Sequence, residues 1–284
     1  MTPLRKKMIE AMQQRGFSPR THESYLDAVT QLARYYKRSP EQLNLEQLQR
    51  FFEHLVQERG LSPASCRLYL NGIRFLYLQV LQWPHFDVPL VVPKRAQRIP
   101  ELLSRSEVQA ILGSLTNPKH RMLLALCYGC GLRVSELVQL RVGDIDGERS
   151  LLRITQGKGA KDRLVLIAPT LLKQLRRYWQ SERPQSWLFP NEHQWAQHVS
   201  ISTAQRVFHR AKALAGVSKD GGIHSLRHAY ATHQLESGLP VHQLQRLLGH
   251  SNLQSTMRYV HWVPDKQRNA THADLIAALE VGDE

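Results

Sequence analysis

The chain has 284 residues, enough for two ordinary domains, and 42% of them are hydrophobic, which fits a globular protein with filled cores. Its 38 Lys and Arg against 24 Asp and Glu leave a formal +14, spread along the chain, which points to a polyanionic partner, nucleic acid before an anionic membrane. No apolar run is long enough to span a bilayer, no long amphipathic stretch carries a basic face, and the N-terminus MTPLRKKMIEAMQQRG has no apolar signal-peptide segment, so cytoplasm or nucleoid is the expected compartment.

Residues 1–83 read as helix after helix. Ser18-Pro19, Ser39-Pro40 and Ser62-Pro63 each supply an N-cap followed by a first-turn proline, and Gly16 and Gly60 close two of the helices. Apolar residues recur at helical spacing: Leu26, Val29, Leu32, Ala33 and Tyr36, then Leu48, Phe52, Leu55 and Val56, then Ile73, Leu76, Tyr77 and Val80. Residues 84–100, with Pro84, Pro89, Pro93 and Pro100, cannot continue a helix and read as an interdomain linker. Its Lys94, Arg95 and Arg98 are either solvated charges or contacts to a phosphate backbone.

A second domain, residues 101–284, opens with Ser104-Arg105-Ser106-Glu107, a capping box ahead of Val108, Ile111, Leu112 and Leu115. Helices dominate again, except for SLLRITQGKGAKDRLVLI, which reads as a β-hairpin with Lys158 at or near its tip. Cys66, Cys127 and Cys130 are an odd number without an export signal, so no disulfide framework is expected. Cys127 and Cys130 form a CxxC, but no second Cys or His pair follows at zinc spacing and RMLLALCYGCG is apolar, so buried helix cysteines are expected and no metal site. The tail, residues 265–284, carries a short amphipathic pattern of Ala273, Leu275, Ile276 and Leu279.

Four segments carry the chemistry: GCGLRVSEL with Arg133, QGKGAKDR with Lys158, HSLRH with His224 and Arg227, and LLGHSNLQSTMRYVH with His250 and Tyr259. Taken singly, each has a plain reading: Arg133 pairing with Glu136, Lys158 a solvated turn residue, His224 a helix starter, His250 a turn residue, Tyr259 packing. Together, in this order and with this local wording, they resemble the tyrosine recombinase family, the phage-integrase and Xer-like DNA strand-exchange enzymes, across essentially the whole chain. The stretches SPRTHESY and SCRLYLNGIRFLY also resemble that family's helical core-binding domain.

The resemblance implies a mainly α, two-domain protein: a helical core-binding domain and a mostly helical catalytic domain with a small β-hairpin or sheet, the DNA breaking-rejoining fold. It implies transesterification at a phosphodiester, where fixed cationic donors stabilise the charge that develops on the non-bridging oxygens. Arginine forks suit two phosphate oxygens and stay protonated, which fits Arg133 and Arg227. The resemblance assigns a further phosphate hydrogen bond to His250, help with proton transfer at the nucleophile to His224, and protonation of the leaving 5′ oxygen to Lys158. Tyr259 is then the nucleophile, forming a 3′-phosphotyrosyl link that retains the bond energy, with no cofactor, metal or ATP. Glu136 supports the arginines, and His228 and His233 read as helix-face or core residues.

Arg20, Thr21, Arg67, Asn71, Arg74, Arg206 and Arg210 resemble positions where the family lays helices on double-stranded DNA; solvated helix faces are the alternative. The implied assembly is a homotetramer on DNA, with the tail docking in trans on a neighbouring protomer. Two rival readings remain: a type IB topoisomerase, which uses similar residues, and a non-catalytic DNA binder. No extra segment stands between Lys158 and His224 and none for an arm-binding domain precedes the first helix, so a stand-alone Xer-like or mobile-element recombinase is expected.

Overall fold

The computed structural model describes residues 1–88, 100–155 and 162–263. The chain divides into two compact units, Met1–Arg98 and Ile99–Glu284. Among the described residues, no helix is long and apolar enough to cross a membrane.

The first unit contains α1 (Pro3–Gln14), α2 (Pro19–Tyr36), α3 (Leu45–Gln57) and α4 (Pro63–Phe75), the last running on into a π turn, Leu76–Val80. The expected caps form: the Ser18 hydroxyl accepts from Thr21 N–H and that of Ser62 from Ser65 N–H, whereas Ser39 starts a 3₁₀ turn without a side-chain cap. Met8, Met12, Leu32, Leu48, Phe51, Phe52, Leu55 and Ile73 fill the core. Gly72 lets α4 approach α2, since a Cβ there would lie 3.0 Å from the Tyr25 Cα. That face of α4 is therefore fixed inward, and Arg67, Asn71 and Arg74 face solvent on the other.

Residues 84–88, expected to be part of the linker, depart from that expectation. Phe86 is buried in the core of the first unit, with its ring 5.8 Å from that of Tyr77, and Val88 packs against the same core. Prolines forbid a helix here, but they do not prevent an extended segment from burying its large apolar side chains.

The second unit begins with α5 (Arg105–Gly113), whose Ser104–Glu107 capping box forms as expected. It continues through α6 (Pro118–Gly129) and α7 (Val134–Val138), then strands β1 (Ile145–Asp146), β2 (Leu151–Ile154) and β3 (Arg163–Leu166). The sheet is antiparallel in the order β1-β2-β3, with Leu151 opposite Leu166 and Ile154 opposite Arg163. The pairing is that of the expected hairpin; its turn, with Lys158, lies outside the described residues, as do Lys94, Arg95, Arg98 and the tail 265–284. Helices α8 (Pro169–Glu182), α9 (Ile201–Leu214), α10 (His224–Glu236), α11 (Val241–Leu248) and α12 (Gln254–Trp262) complete the unit. Cys127 and Cys130 are buried free thiols, each pushed up to about 12 by burial. Among the described residues no cluster of His, Cys, Asp or Glu is arranged to hold a metal ion.

Candidate active site

Two glycine turns and one helix start bring the motif residues together. Gly131, at φ +59°, ends α6 so closely against Tyr230 that a Cβ would lie 2.4 Å from its ring, which requires glycine in both conformation and space. The chain then turns into α7 with Arg133 as its N-cap residue. Gly249, at φ +61°, ends α11 in the left-handed conformation and releases the chain toward His250. His224 is the first residue of α10 and faces solvent, while Arg227, one turn further, is only 1% exposed.

Arg227 is held by main-chain carbonyls. Its Nη1 donates to Gly131 O at 2.6 Å, and its Nη2 donates to Leu248 O at 2.7 Å and to His250 Nε2 at 3.0 Å. Burial, then the neighbouring Arg133, lowers its pKa to about 10, which leaves it cationic at neutral pH. Because guanidinium only donates, His250 Nε2 must accept, so Nδ1 carries the hydrogen and donates to the buried Thr256 hydroxyl at 2.8 Å. Burial and then Arg227 lower the His250 pKa to about 4, consistent with this neutral tautomer.

Glu136 ties the other two arginines into the pocket. Arg133 donates to it from the main chain at 2.9 Å and from Nη1 at 2.7 Å, and donates from Nη2 to Gly249 O at 3.0 Å. Arg163, the first residue of β3, donates to both carboxylate oxygens at 2.8 Å and from Nε to Leu247 O at 2.9 Å. Burial pushes the Glu136 carboxyl up, but the hydrogen bonds and charge of Arg163, then those of Arg133, outweigh it and hold the pKa at about 2. Three guanidiniums against one carboxylate leave positive charge in excess, suited to an anion with a planar pair of oxygens.

Tyr259 sits on α12, nearly buried, with its ring almost parallel to that of His250 at 6.2 Å between centroids. Burial raises the phenol pKa, while the positive charges of Arg227 and then Arg258 pull it back. The hydroxyl is 3.0 Å from His228 Nδ1. Arg133, Arg227, His250 and Tyr259 thus meet in one pocket; His224 stands at its edge, ring against ring with His228 at 4.5 Å.

Sequence reasoning missed two contributors. His228, expected as a helix-face or core residue, contacts the Tyr259 hydroxyl; its only sequence signal was its position one turn after His224 on the same helix. Arg163 had no signal beyond its place after the hairpin turn. His233 does belong to the core, its Nδ1 2.9 Å from the Tyr128 hydroxyl.

The other candidates make none of the pocket hydrogen bonds described above. Arg20 is exposed and pairs with Glu23 at 3.6 Å, and Thr21 bonds the capping Ser18 hydroxyl at 2.9 Å. Arg206 and Arg210 are exposed on α9 and line a cavity of about 740 Å³ together with Lys119 and His120.

The fold and this pocket define a DNA strand-exchange class of enzyme, and the comparisons agree. Residues 101–265 match the phage integrase family, and residues 4–85 match the phage integrase N-terminal SAM-like domain. The chain is 41% identical over 269 residues to the Sinorhizobium fredii protein y4qK, covering 94% of this chain and 86% of that one. It is 35% identical over 270 residues to tyrosine recombinase XerA of Thermococcus kodakarensis, covering 93% of each. The crystal structure of XerH site-specific recombinase bound to palindromic difH substrate matches with a TM-score of 0.71 at 20% identity, over 95% of this chain and 82% of that one. The chain belongs to the phage integrase family and is a tyrosine-type site-specific recombinase.

Proposed function

We propose that the protein cuts and rejoins double-stranded DNA through a 3′-phosphotyrosyl link to Tyr259. The observation that carries this is the convergence of Arg133, Arg227, His250 and the Tyr259 hydroxyl on one pocket. In this reading Arg133 and Arg227 bind the non-bridging oxygens of the scissile phosphate, and His250, whose Nε2 accepts from Arg227 and whose Nδ1–H is held by Thr256, orients Arg227 instead of donating to the phosphate itself. Fixed donors at developing negative charge lower the barrier without a metal ion. Lys158 protonates the leaving 5′ oxygen, His224 assists at the pocket edge, and Glu136 holds Arg133 and Arg163 in register.

Double-stranded DNA is gripped by exposed cations: Arg20 with Thr21, the Arg67, Asn71 and Arg74 face of α4, and Arg206 with Arg210. The first domain, residues 1–83, and the catalytic domain, 101–284, each bind DNA. Four protomers assemble on the DNA, with the tail 265–284 docking in trans, and the enzyme works in the cytoplasm at the nucleoid as a stand-alone Xer-like or mobile-element recombinase. The name of the XerA relative and the XerH complex with its difH substrate support this reading by analogy.

The test uses nicked duplexes from the DNA flanking the protein's own gene, incubated in excess EDTA without nucleotide. A covalent protein–DNA adduct is expected. Adduct formation only with added divalent metal overturns the mechanism, and binding without an adduct favours the non-catalytic reading.

A further inference from the structure

We propose that His228 is the group that takes the proton from the Tyr259 hydroxyl as that oxygen attacks phosphorus. The proposal rests on Tyr259 being the nucleophile. A general base must lie within hydrogen-bond reach of the proton it abstracts, and His228 Nδ1 lies 3.0 Å from the Tyr259 oxygen. Among the described residues, no hydrogen bond joins His224 to Tyr259; its ring instead packs edge-on against His228. The two histidines are four residues apart on α10, and it is the deeper one that faces α12.

The surroundings favour one direction for this bond: the positive charge of Arg227 repels the phenolic hydrogen, and the neutral imidazole of His228 is within reach to accept it. Nδ1 then accepts and Nε2 carries the ring hydrogen. Trp262 packs on both rings, 5.5 Å from His228 and 5.1 Å from Tyr259 between centroids, and holds the pair together.

The charged and titratable groups facing His228 are His224 and Arg227 on its own helix, Arg258 and Tyr259 on α12, and His250 on the segment before α12. Burial, followed by His224 and the arginines, lowers the ring to about 3, so it is neutral and able to accept. A phosphodiester held by Arg133 and Arg227 brings a negative charge that offsets these cations, so the ring becomes more basic when substrate is in place. In the forward step the Tyr259 oxygen–phosphorus bond forms and the phosphorus–5′ oxygen bond breaks. The phenolic proton passes to His228 Nδ1, giving an imidazolium, and the leaving 5′ oxygen takes a proton from the general acid, proposed above as Lys158. Rejoining runs the same transfers backward.

The experiment is single-turnover cleavage of a nicked duplex across pH by the wild type, H228N, H224N and Y259F, with DNA binding and thermal melting measured for each. Asparagine keeps an acceptor oxygen near the Nδ1 position but cannot hold a proton. H228N should bind DNA within about threefold of wild type, cleave about 10² to 10⁴-fold more slowly, and lose the histidine limb of the pH profile, its rate rising instead toward the ionisation of the phenol. Cleavage by H228N within threefold of wild type with an unchanged profile overturns the proposal, as does loss of that limb in H224N and its retention in H228N. An adduct in wild type that is absent in Y259F and undiminished in H228N defeats this assignment alone; no adduct in wild type defeats the nucleophile assignment itself. If H228N does not fold, H228Q is measured in the same way and judged by the same outcomes.

Discussion

The outer face of α4 and the pocket around Arg227 both rest on arginine, and they use it in opposite ways. Arg67 and Arg74 stand in solvent, where a cation contributes mainly long-range, salt-screened attraction. Arg227 is buried, held by two carbonyls and a histidine, and its orientation is set before any anion arrives. An exposed guanidinium suits grip on any phosphate, whereas a pre-oriented one suits a single phosphate at the moment its charge changes.

The largest effect should come from screening the exposed set. If about six to ten phosphates are contacted, affinity should fall roughly 10³ to 10⁵-fold between 50 and 200 mM salt; a flat response in a filter-binding or anisotropy titration would break the comparison on its binding side. Next, Arg227→Ala and Arg133→Ala should each slow single-turnover cleavage by about 10² to 10³. The double change Arg67→Ala with Arg74→Ala should instead lower affinity and reduce the log-log salt slope by about 2, with cleavage at saturating DNA little changed. A cleavage defect of equal size in both sets would erase the distinction.

Smaller effects should follow from the pocket's backbone. Gly249→Ala places a methyl 2.9 Å from the Arg163 Cδ in a left-handed conformation, so it should destabilise by about 1–3 kcal/mol in chemical denaturation and slow cleavage by shifting Arg163 from Glu136. The smallest concerns pH. His228 and His250 are held neutral, at about 3 and 4, below the unfolded value near 6.5, so the unfolded chain binds more protons in that interval. Their contribution to stability is present above about 6.5 and is lost as pH falls toward 4. The melting temperature should therefore decline over that window, and less so in His250→Gln.

Much of this pocket was legible because its chemistry dictates residue types at local spacings. His224 and Arg227 are one helical turn apart, LGH puts a left-handed glycine before His250, and Arg133 is followed by Glu136 in a helix start. The Ser104–Glu107 capping box and the paired strands of the hairpin were legible for the same local reason. What escaped depends on contacts distant in sequence: Arg163 reaching Glu136 and Leu247, the Gly131 and Leu248 carbonyls on Arg227, and α12 bringing Tyr259 against His228. Phe86 escaped similarly, since a proline-rich stretch predicts the absence of a helix but not which core its aromatic ring will find.

The central claim is that Tyr259 is the atom-donating partner of a 3′-phosphate link. The direct measurement is to trap the adduct on a nicked duplex, digest the DNA to a short remnant, cleave with trypsin and locate the added mass. Because Arg258 precedes the tyrosine and Lys266 follows, the remnant should ride on the peptide spanning residues 259–266, attached through a 3′ phosphate with a free 5′ hydroxyl on the other strand end. Mass on any other peptide, or a 5′-phosphate linkage, would contradict the account.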